Sequence, residues 1–148
     1  MVSERELQQS VGTLELYRAQ LDALSKQAEL FEMSHQEHNR ALETLKAIKE
    51  SKEGSEILVP IGASSFIFAK LKSNKRAIVG IGSGISVEED IETAIEHIER
   101  LVKDIEGAEA KINETISKIE REATALTRKV QDMYKELQEE EAQGKKKK

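Results

Sequence analysis

An apolar repeat of seven residues runs through both ends of this 148-residue chain and constrains its fold more than any other feature. In residues 1–53 the repeat occupies two interleaved series, Leu7, Leu14, Leu21, Ala28, His35 and Leu42 with Ser10, Tyr17, Leu24, Phe31, His38 and Leu45. In residues 87–143 the two series are Ile91, Ile98, Ile105, Ile112, Ile119, Leu126 and Met133 with Ile95, Val102, Glu109, Ile116, Ala123, Val130 and Leu137. This spacing predicts two long helices, each with a narrow apolar stripe that requires a partner helix.

The two helices are expected to pair with each other. Only residues 54–86 separate them, so the simplest arrangement is an antiparallel two-helix coiled coil. In the predicted register Leu45 faces Ile91, and Leu137 extends past the start of the first helix without a partner. The two stripes then cover each other and leave little apolar surface for the intervening segment.

Short local motifs predict where the helices begin and end. Ser3 with Glu6, and Ser86 with Glu89, have the spacing of a capping box, in which each residue bonds the backbone N–H of the other. Gly54 is a plausible stop for the first helix, because glycine readily adopts the left-handed conformation found after helix ends.

The intervening segment, residues 54–86, is rich in Gly, Ile, Val and Phe and contains Pro60, the only proline. Its apolar runs lie between Gly, Ser and Asn residues, at 57–61, 66–71 and 77–81 and from Ile85 onward. This pattern predicts four short strands in two hairpins. Pro60 cannot donate a hydrogen bond and is expected at a sheet edge or a bulge. The predicted fold class is mainly α with a small β insert.

So short a strand segment cannot form a core of its own. Domains below about 40 residues usually need disulfides, metals or oligomerisation, and this chain has no cysteine. We therefore expect the two hairpins to assemble with those of other subunits into a shared β body, a barrel between subunits. The candidate oligomerisation residues are the apolar strand residues Ile57, Val59, Phe66, Phe68, Ile78 and Ile81.

The far end of the helix pair is the candidate binding site. A rod with a free end exposes its last apolar layers, and several rods on one body would present several weak patches to the same guest. The candidate residues for binding unfolded protein are Val2, Leu7, Val11, Met133, Tyr134 and Leu137.

The order helix, two hairpins, helix is similar to that of the α subunit of prefoldin, an archaeal molecular chaperone. The resemblance lies in residues 56–66, in residues 79–85 and in the flanking heptads, and it spans essentially the whole chain. The chain is interpreted as one such subunit, and its composition divides it into four parts: a first helix (1–53), two hairpins (54–86), a second helix (87–143) and a basic tail (144–148). The lysines of the tail depart from the family pattern.

The resemblance implies a function and a set of partners. Two α and four β subunits would assemble through a β-barrel, with α subunits paired at its centre. The tips of the coiled coils would hold non-native polypeptides without ATP and deliver them to a group II chaperonin. The alternative is a structural coiled-coil scaffold or tether that binds one specific folded partner.

Two sequence features raise other possibilities. Gly80–Gly84 follows a strand, but Ile85 replaces the third glycine of a dinucleotide fingerprint and no P-loop lysine follows, so we interpret it as a turn. His35 and His38 lie on the helix seam, where polar residues commonly set register, and their protonation would place charge there. We expect neither a metal nor a cofactor nor a catalytic site.

Composition limits the remaining classes of function. The absence of cysteine excludes a disulfide scaffold and thiolate zinc sites, and it suits a reducing cytoplasm. A net charge of −5 gives no general reason to bind nucleic acid, and no apolar run is long enough to span a membrane. We interpret Lys145–Lys148 as a solvated tail, with a contact to the chaperonin as the alternative.

Overall fold

The computed structural model describes residues 1–147. In chain order its elements are α1 (Glu4–Glu50), β1 (Glu56–Gly62), β2 (Ser65–Lys70), β3 (Arg76–Gly82), β4 (Ile85–Asp90) and α2 (Ile91–Lys146). The strands form two separate antiparallel hairpins, β1–β2 and β3–β4. The predicted fold, two long helices joined by two hairpins, is confirmed.

The chain divides into two compact units. The terminal unit contains Met1–Glu32 with the chain from Ala108 onward, and the hairpin unit contains Met33–Gly107. In the terminal unit the core consists of Leu7, Leu14, Val130 and Met133, contributed by both helices. These residues belong to the predicted heptads, so the apolar stripes pair as expected.

The second hairpin packs on the helices of the hairpin unit. Val79 on β3 is buried together with Ala94, Ile98 and Val102 of α2, and Ala77 and Leu42 pack against this cluster. The expectation that the helices leave little apolar surface for the strands is therefore wrong for this hairpin. Short side chains such as Ala94 leave room for a strand beside the helix seam, so one hairpin face is covered within the chain.

Both hairpins have the same turn. Register shifts between Pro60 and Gly62, and again between Gly80 and Gly82, mark a bulge on the strand before each turn. The expectation that Pro60 lies at an edge or bulge is confirmed, since a bulge tolerates a residue without an N–H. Two residues with positive φ then close each hairpin, and in the first they are Ala63 at 49° and Ser64 at 56°.

The predicted start of the second helix is wrong. Ser86 and Glu89 do not form a capping box but lie in β4, which extends to Asp90. Cross-strand pairing favours the strand, because the guanidinium of Arg76 on β3 lies 2.9 Å from Asp90 Oδ1. Helix α2 begins at Ile91, whose N–H donates to the carbonyl of Lys75 at 2.8 Å.

The predicted start of the first helix is confirmed. Ser3 N–H donates to Glu6 Oε2 at 3.1 Å, and Glu6 N–H donates to Ser3 Oγ at 3.2 Å, which makes both bonds of the capping box. The helix ends at Glu50, ahead of Gly54. Gly54 has a φ of 81° and its N–H donates to Leu71, so this glycine closes the base of the first hairpin instead.

The helix register differs from the prediction by about one helical turn. With Leu45 opposite Ile91, Lys49 would lie opposite β4, whereas its Nζ lies 3.8 Å from Glu92 Oε1 on α2. Leu137 does not extend past the first helix without a partner but packs against the core of the terminal unit. Because β4 is longer than expected, the layers of α2 begin later in the sequence.

The C-terminal lysines are partly helical. Helix α2 continues to Lys146, beyond the predicted boundary at residue 143, so Lys145 and Lys146 form its last turn and not a separate tail. Cations in this position stabilise a helix by interacting with the partial negative charge at its C terminus. Lys148, the last residue of the predicted tail, lies outside the described residues.

Candidate functional site

One face of the first hairpin is open and apolar. Side chains alternate between the faces of a strand, and the cross-strand pairs Leu58–Phe68 and Pro60–Phe66 share what we call the outer face. Every one of these four residues is exposed, with Phe68 at 77%. The predicted oligomerisation residues Phe66 and Phe68 therefore project together from one surface.

The opposite face of the first hairpin is only partly covered. It carries Ile57 and Val59, which are half-buried, with Ile67 opposite Val59 and exposed. Within residues 56–70, all of which the structure describes, none is buried. Burying an apolar side chain of this size contributes about 1.5–3 kcal/mol, so both faces gain from further cover.

The second hairpin differs because its inner face is already covered. Val79 is 5% exposed, whereas the preceding residue Ile78 is 75% exposed. We call the side of this hairpin that carries Ile78 its outer face, and the side that carries Val79 its inner face. Ile81 and Ile85 beside the turn are exposed as well. The predicted oligomerisation residues Ile78 and Ile81 are thus available to a partner, while Val79 holds the hairpin to the helices.

Several exposed strand residues are absent from the predicted set. Besides the predicted Phe66, Phe68, Ile78 and Ile81, the large apolar side chains exposed on the hairpins are Leu58, Ile61, Ile67 and Ile85. Leu58, Ile61 and Ile67 belong to the same apolar runs as predicted residues, and Ile85 begins the last run. Alternation along each strand would have placed Leu58 on the same face as Phe68.

Side-chain contacts link the hairpins to both helices. Asn74 Nδ2 donates to the carbonyl of Ser51 at 2.8 Å and so satisfies a group just after the helix end. His97 Nδ1 lies 3.5 Å from Glu89 Oε1, which links α2 to β4. These contacts make the base of the hairpins well defined, while their outer faces stay open.

The candidate tip residues do not form one open patch. Leu7 and Met133 are buried in the core of the terminal unit, and Val2, Val11 and Leu137 are partly buried against it. Tyr134 is about half exposed. It lines a shallow groove of about 390 Å³ with Leu7, Val11, Gly12 and the polar residues Glu4, Gln8 and Glu15. Their role in binding unfolded protein stays a prediction.

The histidines of the seam are bonded to their neighbours. His38 Nδ1 lies 2.7 Å from the carbonyl of Ser34, one turn earlier on α1. His35 Nε2 lies 3.2 Å from Glu106 Oε1 on α2, within the same unit. This is how polar residues at seam positions commonly fix the register of two helices.

The glycine-rich segment is a hairpin turn, as interpreted from the sequence. Gly82 and Gly84 have φ values of 106° and 74°, and the following residues form β4. A phosphate loop requires a helix N terminus directly after it, and here a strand follows. Within residues 1–147, no helix combines the length and apolar character needed to cross a membrane.

A family model described as Prefoldin subunit matches residues 17–136, most of the chain, including both hairpins. The chain belongs to the prefoldin subunit family. Its role is that of a chaperone subunit, and this family membership favours binding over catalysis.

Curated relatives carry the α designation of the prefoldin family. Prefoldin subunit alpha from Methanopyrus kandleri is 36% identical over 76% of this chain and 72% of its own. The protein of the same name from Methanobrevibacter smithii is 37% identical over 73% of each chain. That from Pyrococcus horikoshii is 32% identical over 88% of this chain and 89% of its own.

Solved structures show the same fold. A chain of filamentous PFD from Methanocaldococcus jannaschii matches with a TM-score of 0.65 and 24% identity, over 77% of this chain and 94% of its own. The prefoldin beta subunit from Thermococcus strain KS-1 matches with a TM-score of 0.58 and 15% identity, over 89% of this chain and 94% of its own. At these identities the likeness concerns the fold alone.

Proposed function

We propose that this chain is the α-type subunit of a hetero-oligomeric, ATP-independent chaperone that captures unfolded polypeptides and passes them to a group II chaperonin. The observation that carries the proposal is the open outer face of the first hairpin, Leu58, Pro60, Phe66 and Phe68, on a member of the prefoldin family. A chain that functioned alone would leave this surface in water.

The outer faces of both hairpins support assembly with β-type subunits. Phe68 and Ile78 are each about three-quarters exposed on strands that have unpaired edges. Pairing of those edges with strands of other subunits would bury the side chains and satisfy the backbone groups in one step. We propose two α and four β subunits around a shared β-barrel.

Capture of clients is proposed for the terminal unit. The apolar residues at the ends of α1 and α2 are packed together, so Leu7 and Met133 become available only when the helix ends separate. The first turn of a helix opens at low cost, because its N–H groups have few partners within the helix. Partly exposed Val11 and half-exposed Tyr134 provide the first contact with an apolar segment.

The assembly is tested first, by measuring the mass of this chain alone and mixed with a β-type subunit. We expect a complex with a two-to-four ratio from the mixture. The variant Phe68→Ser should lose complex formation and retain its helical circular dichroism. A fully assembled Phe68→Ser complex would contradict the proposed interface.

Client capture is tested in the assembled complex. Substoichiometric complex should slow aggregation of several unrelated denatured proteins without ATP, and Val11→Ser with Tyr134→Ser should weaken this effect without changing the mass. Met33→Ser removes an exposed apolar residue of the other unit and is the matched control. Binding to one folded protein, with no effect on denatured substrates, would instead support a scaffold.

Transfer to a group II chaperonin and a cytoplasmic location are part of the proposal. Contact of the C-terminal lysines with the chaperonin is the alternative to a solvated tail. The charged last turn of α2, Lys145 and Lys146, is available for an acidic partner. Removing residues 144–148 should then lower chaperonin affinity at low salt, and unchanged affinity would exclude this contact.

A further inference from the structure

A second apolar stripe runs along α1, on the side opposite the seam. This stripe follows the same alternation of four and three residues as the seam, and Lys26 occupies the position between Ala23 and Leu30. Its apolar members are Gly12, Leu16, Ala19, Ala23 and Leu30. Each lies two positions after a seam residue, which is about 200° around a helix. We call these five residues the outer stripe.

The outer stripe is open to solvent in the terminal unit. All five residues are exposed, with Leu16 at 56% and Leu30 at 67%. Nothing lies within 4 Å of the position that a Cβ would take on Gly12. Lys26 does not place its charge on the stripe, because its Nζ reaches sideways to Asp22 Oδ2 at 3.1 Å.

Single exposed leucines are common, but this pattern is specific to α1. The corresponding positions of α2, two residues after its seam, are mostly charged. They include Arg100, Asp104, Lys111, Glu114, Lys118, Arg121 and Arg128. Between residues 12 and 30, the side of α1 opposite the seam is therefore mostly apolar, whereas the corresponding side of α2 is mostly charged.

The residues that flank the stripe define the charge of what it fits. On one side there is an acidic row of Glu15, Asp22 and Glu29. Each acid directly precedes a residue of the stripe. On the other side Thr13, Gln20 and Gln27 are uncharged. In coiled coils these flanking positions select the partner, because they contact the flanks of the opposing helix.

The flanks disfavour a second copy of α1 as the occupant. An antiparallel copy would bring the two acidic rows together, and a parallel copy would place each acid against Gln or Thr with no gain in charge pairing. A helix with Lys or Arg along its flank would pair with Glu15 and Glu29, while Asp22 already pairs with Lys26. Small residues at Gly12, Ala19 and Ala23 let its backbone approach closely, and Leu16 and Leu30 supply two anchors about 21 Å apart.

We propose that the outer stripe of α1 docks an amphipathic helix of another polypeptide, whose apolar face is flanked by lysine or arginine. This site does not include the hairpin faces. At one end Gly12 and Glu15 border the groove of Val11 and Tyr134, whereas Leu16 and Leu30, its two anchors, do not line that groove. Its stability should depend on salt, because the acidic row is exposed and screened by ions.

The experiment measures binding of a fluorescent peptide to the full-length chain by anisotropy. The probe is a four-heptad helix with Leu and Ala on its apolar face and Lys on its flanks, and its counterpart has Glu in place of each Lys. We expect the Lys peptide to bind more tightly at low salt and the difference to shrink at high salt. Equal affinity of the two peptides would overturn the proposal.

Variants of the chain locate the site. Leu16→Ala with Leu30→Ala removes both anchors at constant charge and should weaken the Lys peptide at least about tenfold, as expected from the buried area lost. Leu16→Glu with Leu30→Glu should abolish binding. The matched control, Ala41→Glu with Ala47→Glu, adds the same charge at exposed positions elsewhere on α1 and should bind as the parent chain does.

Two further results would overturn the proposal. One is unchanged peptide affinity in both leucine variants, which would place the peptide elsewhere, for example at the helix ends. The other is a change in the mass of the chain, alone or with β-type subunits, in the Leu16→Glu and Leu30→Glu variant, which would assign the stripe to assembly. Circular dichroism of each variant checks that the exposed substitutions leave the helices intact.

Discussion

Val79 and Ile78 are consecutive residues of β3 with opposite surroundings, and truncating each to alanine separates folding from assembly. Val79 is 5% exposed and packs in the cluster with Ala94, Ile98 and Val102, whereas Ile78 is 75% exposed. Val79→Ala removes two buried carbon groups at about 0.8 kcal/mol each and leaves a small cavity. We expect a loss of about 2 kcal/mol in the free energy of unfolding.

Ile78→Ala removes more atoms but should cost less than about 0.5 kcal/mol in the isolated chain, because most of the side chain is already in water. The assay is urea unfolding followed by circular dichroism at the lowest practical concentration, with mass measurement of the mixture with a β-type subunit. Val79→Ala should lower the urea midpoint, and Ile78→Ala should weaken assembly with little change in the midpoint.

The refuting result is a reversal of this pattern. If Ile78→Ala lowered the midpoint of the dilute chain as much as Val79→Ala does, Ile78 would be covered within the chain and the outer face would not be open. If Val79→Ala had no effect on unfolding, the second hairpin would not be held by the helices.

Three further predictions concern backbone contacts. Ser64→Gly should stabilise the first hairpin by about 1 kcal/mol, because Ser64 has a φ of 56°, a left-handed conformation that is strained for residues other than glycine. Amide exchange in β1 and β2 should become slower, and faster exchange would refute this explanation. Ser3→Ala removes the bond to Glu6 N–H and should cost about 1 kcal/mol in the first turn of α1, seen as faster exchange confined to that turn. Asn74→Ala leaves the carbonyl of Ser51 without this donor and should destabilise the hairpin unit by about 1–2 kcal/mol in urea unfolding, while an unchanged midpoint would show that water replaces the amide.

Local sequence predicted the elements well but not the start of α2. Ser3 with Glu6 and Ser86 with Glu89 have the same capping-box spacing, yet only the first pair forms a cap. The difference is nonlocal, because β3 lies across from Ser86–Asp90 and extends the ladder to the Arg76–Asp90 pair. A motif of four residues contains no information about a strand that pairs from elsewhere.

The error at that boundary propagated into the candidate site. A start of α2 at residue 87 places Leu137 beyond α1 without a partner, and a free rod end predicts open apolar layers. In the structure Leu137 packs against the cluster that contains Leu7 and Met133. The exposed strand residues were easier to predict, because a run with apolar residues on both faces requires cover on both, and the helices cover only the inner face of the second hairpin within residues 1–147.

The unequal anchoring of the two hairpins bears on how such subunits diverge. A change in β3 is constrained twice, by the helices beneath Val79 and by whatever meets Ile78. In residues 56–70, where the structure has no buried side chain, substitutions are constrained chiefly by the subunit that binds this surface. After a gene duplication, the two copies would therefore first acquire different subunit-pairing specificities through substitutions in the first hairpin, while the rest of the fold changed slowly.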